Sequence, residues 1–395
     1  MSYEDLNKND HRRLGQDLNL FHFQEEAPGM VFWHPKGFKI FSILKNQLQE
    51  EMEKQGYLEI NTPAIMNKEL WINSGHFDKF NSSMIKTDDA DFILKPMNCP
   101  GHVQIYNNEL HSYAELPIRY CEFGNVFRNE PSGSLHGLMR LRSFTQDDGH
   151  VFCTEDQLEN EIIELVRLVK KIYSWFSFDN LKIKVSTRPE KRIGEDYIWD
   201  KAEQSLMTAL SKCELSYEIN EGEGAFYGPK IEFTLIDSMS REWQCGTIQL
   251  DYSMPNKLGC SYVDSNGEKK IPILIHRAIL GSLERFIGVM LEHFNGNLPI
   301  KYLSIQVIIL PVSDIRHLEY SLKIKEFLIS RNIRAIIDLS KETMSKKVKK
   351  SVLDKIPYSI IIGDKEVELG SITIRLKNGE QSTLSDYKQL ADFNF

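Results

Sequence analysis

The chain has 395 residues, of which 41% are hydrophobic and 26% are charged, a composition typical of globular domains rather than of disordered or fibrous segments. This length exceeds what one compact core usually contains, so we expect two domains. No stretch approaches the roughly 20 apolar residues of a membrane span, and the acidic N-terminus lacks a signal-peptide pattern, which argues against membrane and secreted classes. The six cysteines occur without CxxC pairs, which favours a reduced, cytoplasmic protein.

Hydrophobic periodicity predicts a helix over 38–55 that ends at Gly56, followed by a short strand over 57–60. The next predicted elements are a helix over 155–178, a strand over 182–186 and a helix over 200–213. Residues 230–235 and 247–251 alternate between apolar and polar, which predicts antiparallel strands with one core face and one polar face. Helices combined with a mostly antiparallel sheet indicate an α+β domain.

Beyond Asn295 the pattern changes to an α/β unit of about 95 residues, a usual domain size. Its predicted elements are a strand over 305–310, a helix over 314–331, a strand over 334–337, a second helix and a strand over 358–362. Although the whole chain has a net charge of −8, this part is net basic, with a run of lysines at Lys346, Lys347, Lys349, Lys350 and Lys355. The simpler interpretation of this run is a solvated helix face, and the functional interpretation is a surface that contacts phosphate groups.

Residues 118–150 are predicted to form a hairpin in which Glu122, Arg128 and Glu130 share a face of the first strand. On the returning strand, the even positions are Arg140, Arg142, Phe144, Gln146, Asp148 and His150. In a regular strand all six would point the same way, offering arginines to phosphates, an aromatic ring to a base and a carboxylate to an ammonium group. This pattern favours a site for ATP and an amino acid over a surface hairpin with solvated charges.

Residues 271–285 are predicted to form a short apolar strand that leads into a helix, with Gly281 and Arg285 on one helix face. Glycine costs about 1 kcal/mol in a helix, so it usually makes room for something. A nucleotide beneath Arg285 is one interpretation, and close helix packing is the other.

Together these segments resemble the three signature motifs of class II aminoacyl-tRNA synthetases. The helix and strand ending at Pro63 resemble motif 1, the dimer-forming element; residues 127–130 with Phe144 resemble motif 2; and residues 281–285 resemble motif 3. Longer strings are similar to the threonyl-tRNA synthetase family: Lys95-Pro-Met-Asn-Cys99-Pro-Gly-His102, residues 128–137, residues 187–192 and residues 224–230. The resemblance runs from about His11 to Arg375.

The resemblance implies a catalytic α+β domain with an antiparallel sheet over 1–297 and an α/β anticodon-binding domain over 298–395. The implied activity is that of a threonine–tRNA ligase, which activates L-threonine with ATP and transfers it to threonine tRNA, as a homodimer formed through motif 1. It also implies a zinc ion, and magnesium with the ATP. The implied zinc ligands are Cys99, His150 and His276. Without the family, a buried thiol or satisfied polar contacts would be the simpler interpretations of these residues.

The family pattern assigns further roles. Arg128, Arg285, His76 and Lys230 are the implied catalytic residues. The implied ATP contacts are Arg128, Glu130, Arg140, Phe144, Gln244, Thr247 and Arg285. The implied threonine contacts are Asp148, Tyr227, Gln249 and Gln146. His76 matches a histidine thought to assist attack by the terminal ribose of tRNA, although a loop histidine without a function is the alternative.

A metal site with an open position suits the amino group and hydroxyl of threonine, and it leaves valine without a second ligand. A site built for a hydroxyl rejects such an analogue by about 10⁴–10⁵, whereas the methyl missing from serine is worth only roughly 1–3 kcal/mol. The resemblance therefore implies that valine is rejected and that serine is rejected only weakly.

The sequence departs from the family pattern in two places. The catalytic core begins within the first dozen residues, so we expect a short form without the N-terminal editing domain. In the anticodon-binding domain, Glu366 and Arg375 match base-reading positions, but Lys341 stands where the family has an asparagine, and lysine discriminates base edges poorly. Two alternatives therefore stay open: a threonine-activating paralogue with another acceptor, and a non-catalytic paralogue that binds threonine or RNA.

Overall fold

The structure is a computed structural model that describes Glu4 and residues 6–89, 91–178, 181–236 and 241–393. The chain divides into two compact units. The smaller unit consists of Met1–His22, Phe32–Leu44 and Phe294–Phe395, and the larger unit consists of Phe23–Val31 and Lys45–His293. Of the helices that are described, none is long and apolar enough to cross a membrane.

The helices of the described chain are α1 (His11–Asp17), α2 (Pro35–Lys54), α3 (Lys68–Asn73), α4 (His76–Phe80), α5 (Cys99–Tyr106), α6 (Glu155–Ser174), α7 (Asp196–Lys212), α8 (Met254–Lys257), α9 (Leu283–His293), α10 (Leu318–Ser330), α11 (Met344–Leu353) and α12 (Asp364–Leu369).

The strands are β1 (Phe21–His22), β2 (Phe32–Trp33), β3 (Leu58–Glu59), β4 (Ile65–Asn67), β5 (Ile85–Lys86), β6 (Phe92–Leu94), β7 (His111–Ser112), β8 (Ile118–Phe127), β9 (Ser143–Cys153), β10 (Leu181–Ser186), β11 (Glu218–Asn220), β12 (Lys230–Ile236), β13 (Glu242–Asp251), β14 (Tyr262–Val263), β15 (Lys269–Lys270), β16 (Ile273–Ser282), β17 (Val307–Pro311), β18 (Ala335–Ile337), β19 (Tyr358–Ile362), β20 (Ile372–Leu376) and β21 (Gln381–Leu384).

The larger unit is built on an eight-stranded sheet with the order β11-β10-β12-β13-β16-β9-β8-β3. Its neighbouring strands are antiparallel except at the two edges, where β10 pairs with β11 and β3 pairs with β8 in parallel. The predicted alternation is confirmed in β13, where Ile248 and Leu250 are fully buried while Thr247 and Gln249 line a cavity. One face of this sheet therefore packs in the core and the other carries the polar side chains.

Helix α6 covers the sheet beside α7 and β16. The apolar positions predicted to lie on one side of it are all buried: Leu158, Ile162, Leu165, Leu168 and Ile172. At its N-terminus, Gln157 Oε1 accepts a hydrogen bond of 3.0 Å from the backbone N–H of Thr154. The predicted helix over 38–55 is likewise confirmed as α2, and Gly56 follows it with a φ of +74°, the left-handed conformation that suits glycine at a helix end.

The smaller unit contains a five-stranded sheet in the order β18-β17-β19-β20-β21, with parallel pairing at β17 and antiparallel pairing beyond β19. Helices α10 and α11 pack on β17, which confirms the predicted α/β segment. The predicted start of α10 at 314 is wrong, because the chain first makes a turn in which the backbone N–H of Ser313 donates to His317 Nδ1 over 3.0 Å. The observed architecture as a whole confirms the α+β class.

Candidate active site

A cavity of about 640 Å³ lies over the middle strands of the eight-stranded sheet, within the size range of small-molecule sites. Its wall contains, apart from His76, every residue that the sequence predicts for catalysis, ATP, the amino acid or the metal: Cys99, Arg128, Glu130, Arg140, Phe144, Gln146, Asp148, His150, Tyr227, Lys230, Gln244, Thr247, Gln249, His276 and Arg285. Residues that are far apart in the sequence thus face one space.

The hairpin of β8 and β9 contributes one row of these side chains. The two strands pair without a register shift from Ile118 opposite Phe152 to Phe127 opposite Ser143. Side chains two residues apart on β9 therefore share a face, and those that line the cavity are Phe144, Gln146, Asp148 and His150. The period-two prediction is confirmed for these four residues.

The prediction is wrong for Arg142, because β9 begins only at Ser143. The Arg142 side chain supports the preceding loop, where its guanidinium donates to the carbonyl oxygen of Glu130 over 2.9 Å and to Ser132 Oγ over 3.1 Å. Arg140 also precedes the strand but lines the cavity, with a guanidinium nitrogen 2.8 Å from the Glu130 carboxylate.

Two arginines that lie more than 150 residues apart in the sequence, Arg128 and Arg285, face the cavity. The Arg128 guanidinium lies 5.2 Å from the ring centre of Phe144, and its Nε donates to the carbonyl oxygen of Pro96 over 3.1 Å. Arg285 Nε donates to the carbonyl oxygen of Met139 over 2.9 Å. Burial lowers the pKa of Arg128 below its ordinary value, yet guanidinium groups stay charged. Neutral carbonyls anchor both side chains without cancelling their charge, which suits phosphate groups.

The prediction that Gly281 lies in a helix is wrong. It lies near the end of β16, with a φ of +79°. Three successive backbone N–H groups that end at Gly281 donate to the buried carboxylate of Asp147. A Cβ atom at Gly281 would lie 2.6 Å from the carbonyl oxygen of Cys245. Glycine is therefore needed for backbone conformation and close strand approach, and the bend it allows ends β16 just before α9 and Arg285.

Part of the cavity wall consists of polar side chains. Asn98 Nδ2 donates to Asp148 Oδ2 over 3.0 Å, and burial raises the pKa of Asp148 above its ordinary value. The Tyr227 hydroxyl donates to Gln249 Oε1 over 3.1 Å. Gln146 Oε1 is buried with no hydrogen-bond partner among the described residues. Buried acceptors are rarely left unpaired, so a ligand donor such as an ammonium group fits there.

Cys99, His150 and His276 come together from α5, β9 and β16, with one donor atom of each within 4.8 Å of the other two. His150 Nε2 lies 2.9 Å from His276 Nδ1, and His276 Nε2 forms a hydrogen bond of 3.0 Å with Asp251 Oδ2. One thiol and two imidazoles, one of them backed by a carboxylate, form a donor set that zinc prefers. The residues therefore fit the zinc ion that the family resemblance implies.

His76 lies at the start of α4 and does not belong to the cavity wall. It is 1% exposed, its Nδ1 is 2.8 Å from Ser74 Oγ, and its Nε2 is 3.9 Å from Cys99 Sγ. Burial lowers the pKa of His76 to about 4. The imidazole is thus neutral. It contacts the Cys99 thiol but is not itself part of the cavity wall.

The predicted anticodon residues all lie in the smaller unit. Glu366, in α12, accepts hydrogen bonds from the backbone N–H of Gly363 and from Thr373 Oγ1, each over 2.9 Å. Arg375, in β20, donates to the carbonyl oxygen of Leu376 over 3.1 Å. Lys341 is exposed in the loop between β18 and α11.

The basic run of α11 is only partly a surface. Lys346, Lys349 and Lys350 are exposed, whereas Lys347 is 3% exposed. Lys347 Nζ donates to the carbonyl oxygens of Pro311 over 3.2 Å and of Asp338 over 2.9 Å. Lys347 therefore belongs neither to a solvated helix face nor to a phosphate-contacting surface, because its ammonium group is buried and hydrogen-bonds to backbone carbonyl oxygens.

Sequence reasoning assigned no role to several buried residues around the site: Asn98, His102, Asp147 and Asp251. Some signal was available, since Asp251 follows Gln249 by two positions on β13 and therefore shares its face. Asp147 gave no such signal, because its partners are backbone groups of β16, more than a hundred residues away in the sequence. The prediction that Glu122 shares a strand face with Arg128 and Glu130 is wrong, because β8 ends at Phe127 and Glu122 is not part of the cavity wall.

Comparison with known proteins agrees with this geometry. A family model described as "tRNA synthetase class II core domain (G, H, P, S and T)" matches residues 80–294, and one described as "Anticodon binding domain" matches residues 306–393. Proteins described as threonine–tRNA ligase from Dichelobacter nodosus and Nitrosomonas europaea are each 50% identical over 95% of this chain. The chain spans 59% and 60% of the lengths of these two relatives.

Solved structures show the same relationship. A crystal structure described as the RNA binding domain of threonyl-tRNA synthetase from Cryptosporidium parvum has a TM-score of 0.92 and 37% sequence identity. The alignment covers 97% of this chain and 96% of that one. Prolyl-tRNA synthetase from Giardia lamblia shares the fold, with a TM-score of 0.72 at 16% identity over 94% of this chain and 73% of that one. Identity and coverage of this extent show that the chain belongs to the threonyl-tRNA synthetase family of class II aminoacyl-tRNA synthetases.

Proposed function

We propose that this chain is a threonine–tRNA ligase, which joins L-threonine to ATP as threonyl-adenylate and then transfers threonine to the 3′ end of threonine tRNA. One observation carries the proposal: the wall of a single cavity contains both a buried Cys–His–His cluster and two arginines, of which Arg128 lies beside an aromatic ring. We propose that the amino acid binds at the cluster, here called the threonine end, and that ATP binds at the arginines, here called the arginine end.

The arginine end suits ATP. Arg128 would contact the α-phosphate as negative charge develops there, and Arg140 and Arg285 would hold the γ-phosphate. The adenine would lie between Phe144 and Arg285. The remaining ATP contacts that we propose are Glu130, Gln244 and Thr247, with Lys230 as a further cation at the reacting groups. Magnesium would accompany the nucleotide, as is general for ATP.

The other end suits threonine. We propose that Asp148 binds the ammonium group of the substrate, with Gln146, Tyr227 and Gln249 as hydrogen-bonding partners; all four line the cavity, which supports this proposal. Cys99, His150 and His276 would hold the zinc ion. A zinc ion held there would act as a Lewis acid that could bind the amino group and the hydroxyl of threonine.

The smaller unit supports tRNA as the acceptor. We propose that Glu366, Arg375 and Lys341 face the anticodon and that the exposed lysines of α11 contact its backbone. We further propose that His76, beside Cys99 at the threonine end, assists attack by the terminal ribose. Its burial means that this role needs a movement of α4.

The remaining proposals concern assembly and environment. We propose a catalytic domain over 1–297 and an anticodon-binding domain over 298–395, and a homodimer formed through the motif 1 region. Leu58 in β3 supports this interface, because it is a hydrophobic side chain that is 60% exposed. All six cysteines are unpaired, which supports a reducing cytoplasm.

A paired assay on one zinc-replete sample tests the proposal. We expect threonine-dependent exchange of pyrophosphate into ATP, and charging of threonine tRNA. Absence of exchange would contradict the enzyme and favour a non-catalytic paralogue. Exchange without charging would favour a threonine-activating paralogue with another acceptor.

A further inference from the structure

A buried hydrogen-bond chain runs from His150 away from the cavity. His150 Nδ1 lies 2.9 Å from His102 Nδ1, and His102 Nε2 lies 3.0 Å from Glu122 Oε2. His102 is 0% exposed and Glu122 is 2% exposed, so water does not interrupt the chain. Neither residue belongs to the cavity wall, and neither would touch a ligand there.

The direction of the protons is set at Glu122. Its Oε1 accepts from Lys95 Nζ over 2.7 Å and from the backbone N–H of Thr62 over 3.0 Å, while its Oε2 accepts from the Thr62 hydroxyl over 2.8 Å. An ionised carboxylate offers only acceptors. His102 Nε2 must therefore carry the proton that points at Glu122.

This choice propagates to the next ring. Lys95 already balances the charge of Glu122, so a neutral His102 satisfies the pair, and its Nδ1 then has a lone pair. His150 Nδ1 must in turn donate to that lone pair. A neutral His150 with its proton on Nδ1 has its own lone pair on Nε2, the atom that faces His276.

His276 also has a lone pair on the ring nitrogen that faces His150, but a carboxylate fixes its tautomer directly. Its Nε2 donates directly to Asp251 Oδ2 over 3.0 Å, which leaves the lone pair on Nδ1. The two histidines thus aim lone pairs at one position beside Cys99, which is the arrangement that a bound metal ion needs.

We propose that His102, oriented by Glu122, is a positioning residue that holds His150 in the tautomer whose Nε2 binds the metal. The inference rests on the zinc site of the proposed function and deepens it. It adds residues that lie outside the cavity and act only through His150.

Glu122→Gln is the sharpest test, because the orientation of the new amide is forced. Its oxygen must face the Lys95 ammonium group and the Thr62 N–H, so its NH₂ group faces His102 Nε2. His102 must then accept at Nε2 and carry its proton on Nδ1. His150 must in turn accept at Nδ1, so its proton lies on Nε2, the atom that would bind the metal. We expect Zn²⁺ affinity to fall by about 10–100-fold.

Glu161→Gln is the matched control. Glu161 is also a buried carboxylate, 3% exposed, but it binds Arg119 and takes no part in the chain to His150. We expect its Zn²⁺ affinity to be unchanged. A second pair of variants tests His102 itself: His102→Leu should lose affinity as Glu122→Gln does, and His102→Asn should recover part of it by offering an oxygen near the Nδ1 position.

Two measurements on the full chain read the result. Competition with a chromophoric chelator gives the Zn²⁺ affinity, with thermal melting by circular dichroism as the check on folding. Nitrogen-15 spectra of histidine-labelled, metal-free protein show whether His150 Nδ1 is protonated, which we expect in the unchanged chain and not in Glu122→Gln.

The proposal requires that folded Glu122→Gln binds Zn²⁺ more weakly and that its His150 no longer carries a proton on Nδ1. An unchanged Zn²⁺ affinity overturns it, as does an unchanged protonation of His150 Nδ1. If the unchanged protein binds no Zn²⁺, the zinc part of the proposed function fails on its own. The nitrogen-15 comparison then decides whether the hydrogen bonds from Glu122 through His102 fix the tautomer of His150. If Glu122→Gln does not fold, the two His102 variants decide it, and equal affinities for them overturn the proposal.

Discussion

Asp147 Oδ1 accepts a hydrogen bond of 2.7 Å from the backbone N–H of Gly281. Through this contact a buried acid of β9 fixes the end of β16, four residues before the cavity arginine Arg285. The position of that arginine therefore depends on backbone geometry set by Asp147, which is not part of the cavity wall, and by Gly281, which is.

Gly281→Ala is expected to shift this bend. A Cβ atom would meet the Cys245 carbonyl oxygen at 2.6 Å, and the φ of +79° disfavours any L side chain. We expect a loss of about 1–3 kcal/mol in the free energy of unfolding and a raised KM for ATP in pyrophosphate exchange. Denaturant unfolding and exchange kinetics measure these effects.

Gly222→Ala is the control for this experiment. Gly222 has nearly the same φ, +77°, but a Cβ atom there meets nothing within 4 Å. It should show the backbone strain alone and leave KM for ATP unchanged. Equal effects of the two variants on KM would contradict the positioning of Arg285 by this bend.

Glu284→Gln is expected to change how stability depends on pH. Burial raises the pKa of Glu284 to about 7 in the folded chain, against an ordinary value of 4.5. Below pH 4.5 the carboxyl is protonated in both states. As pH rises from 4.5 to 7 the unfolded chain loses this proton first, so stability should fall, by about 3 kcal/mol in all. Above pH 7 the difference stays constant.

The amide of the variant does not titrate, so the unfolding free energy of Glu284→Gln should lack this decline. Its oxygen still accepts from the Thr145 N–H and the Ser282 hydroxyl, which Glu284 does in the unchanged chain. Urea unfolding at several pH values between 4 and 8 measures the difference. Parallel curves for the two proteins would show that Glu284 has an ordinary pKa.

Cys99→Ser is expected to remove bound Zn²⁺ and threonine-dependent exchange, because a hydroxyl replaces the thiolate that zinc prefers. Cys245→Ser is the matched control, since Cys245 is also a buried thiol in the cavity wall but has no place in the Cys–His–His cluster. Metal analysis by plasma emission and the exchange assay measure both. Full zinc content in Cys99→Ser would exclude this cluster as the metal site.

Amino-acid selectivity is expected to differ sharply between valine and serine. A site that engages the hydroxyl rejects valine by about 10⁴–10⁵, whereas serine lacks only a methyl group and should be activated about 10–200-fold less efficiently than threonine. Exchange kinetics with each amino acid measure these ratios. Equal rejection of valine and serine would show that shape, not the hydroxyl, decides selectivity.

Much of the site could be predicted from the sequence because strand alternation is local. The side-chain period of two placed Phe144, Gln146, Asp148 and His150 on one face, and the structure confirms it. The same reasoning failed at Arg142, where a loop replaces the strand, and at Gly281, where a contact with the remote Asp147 decides the backbone.

Sequence by itself determined the fold class, the family resemblance and the types of residue in the site, since periodicity and motif strings lie in short stretches of chain. Only the tertiary structure decided which groups meet. Cys99 comes within 4.8 Å of the two histidines because α5 begins beside the paired strands β9 and β16. The proton positions that we infer for His150 depend on Glu122, which reaches it only through another ring, and no spacing in the sequence records such a path.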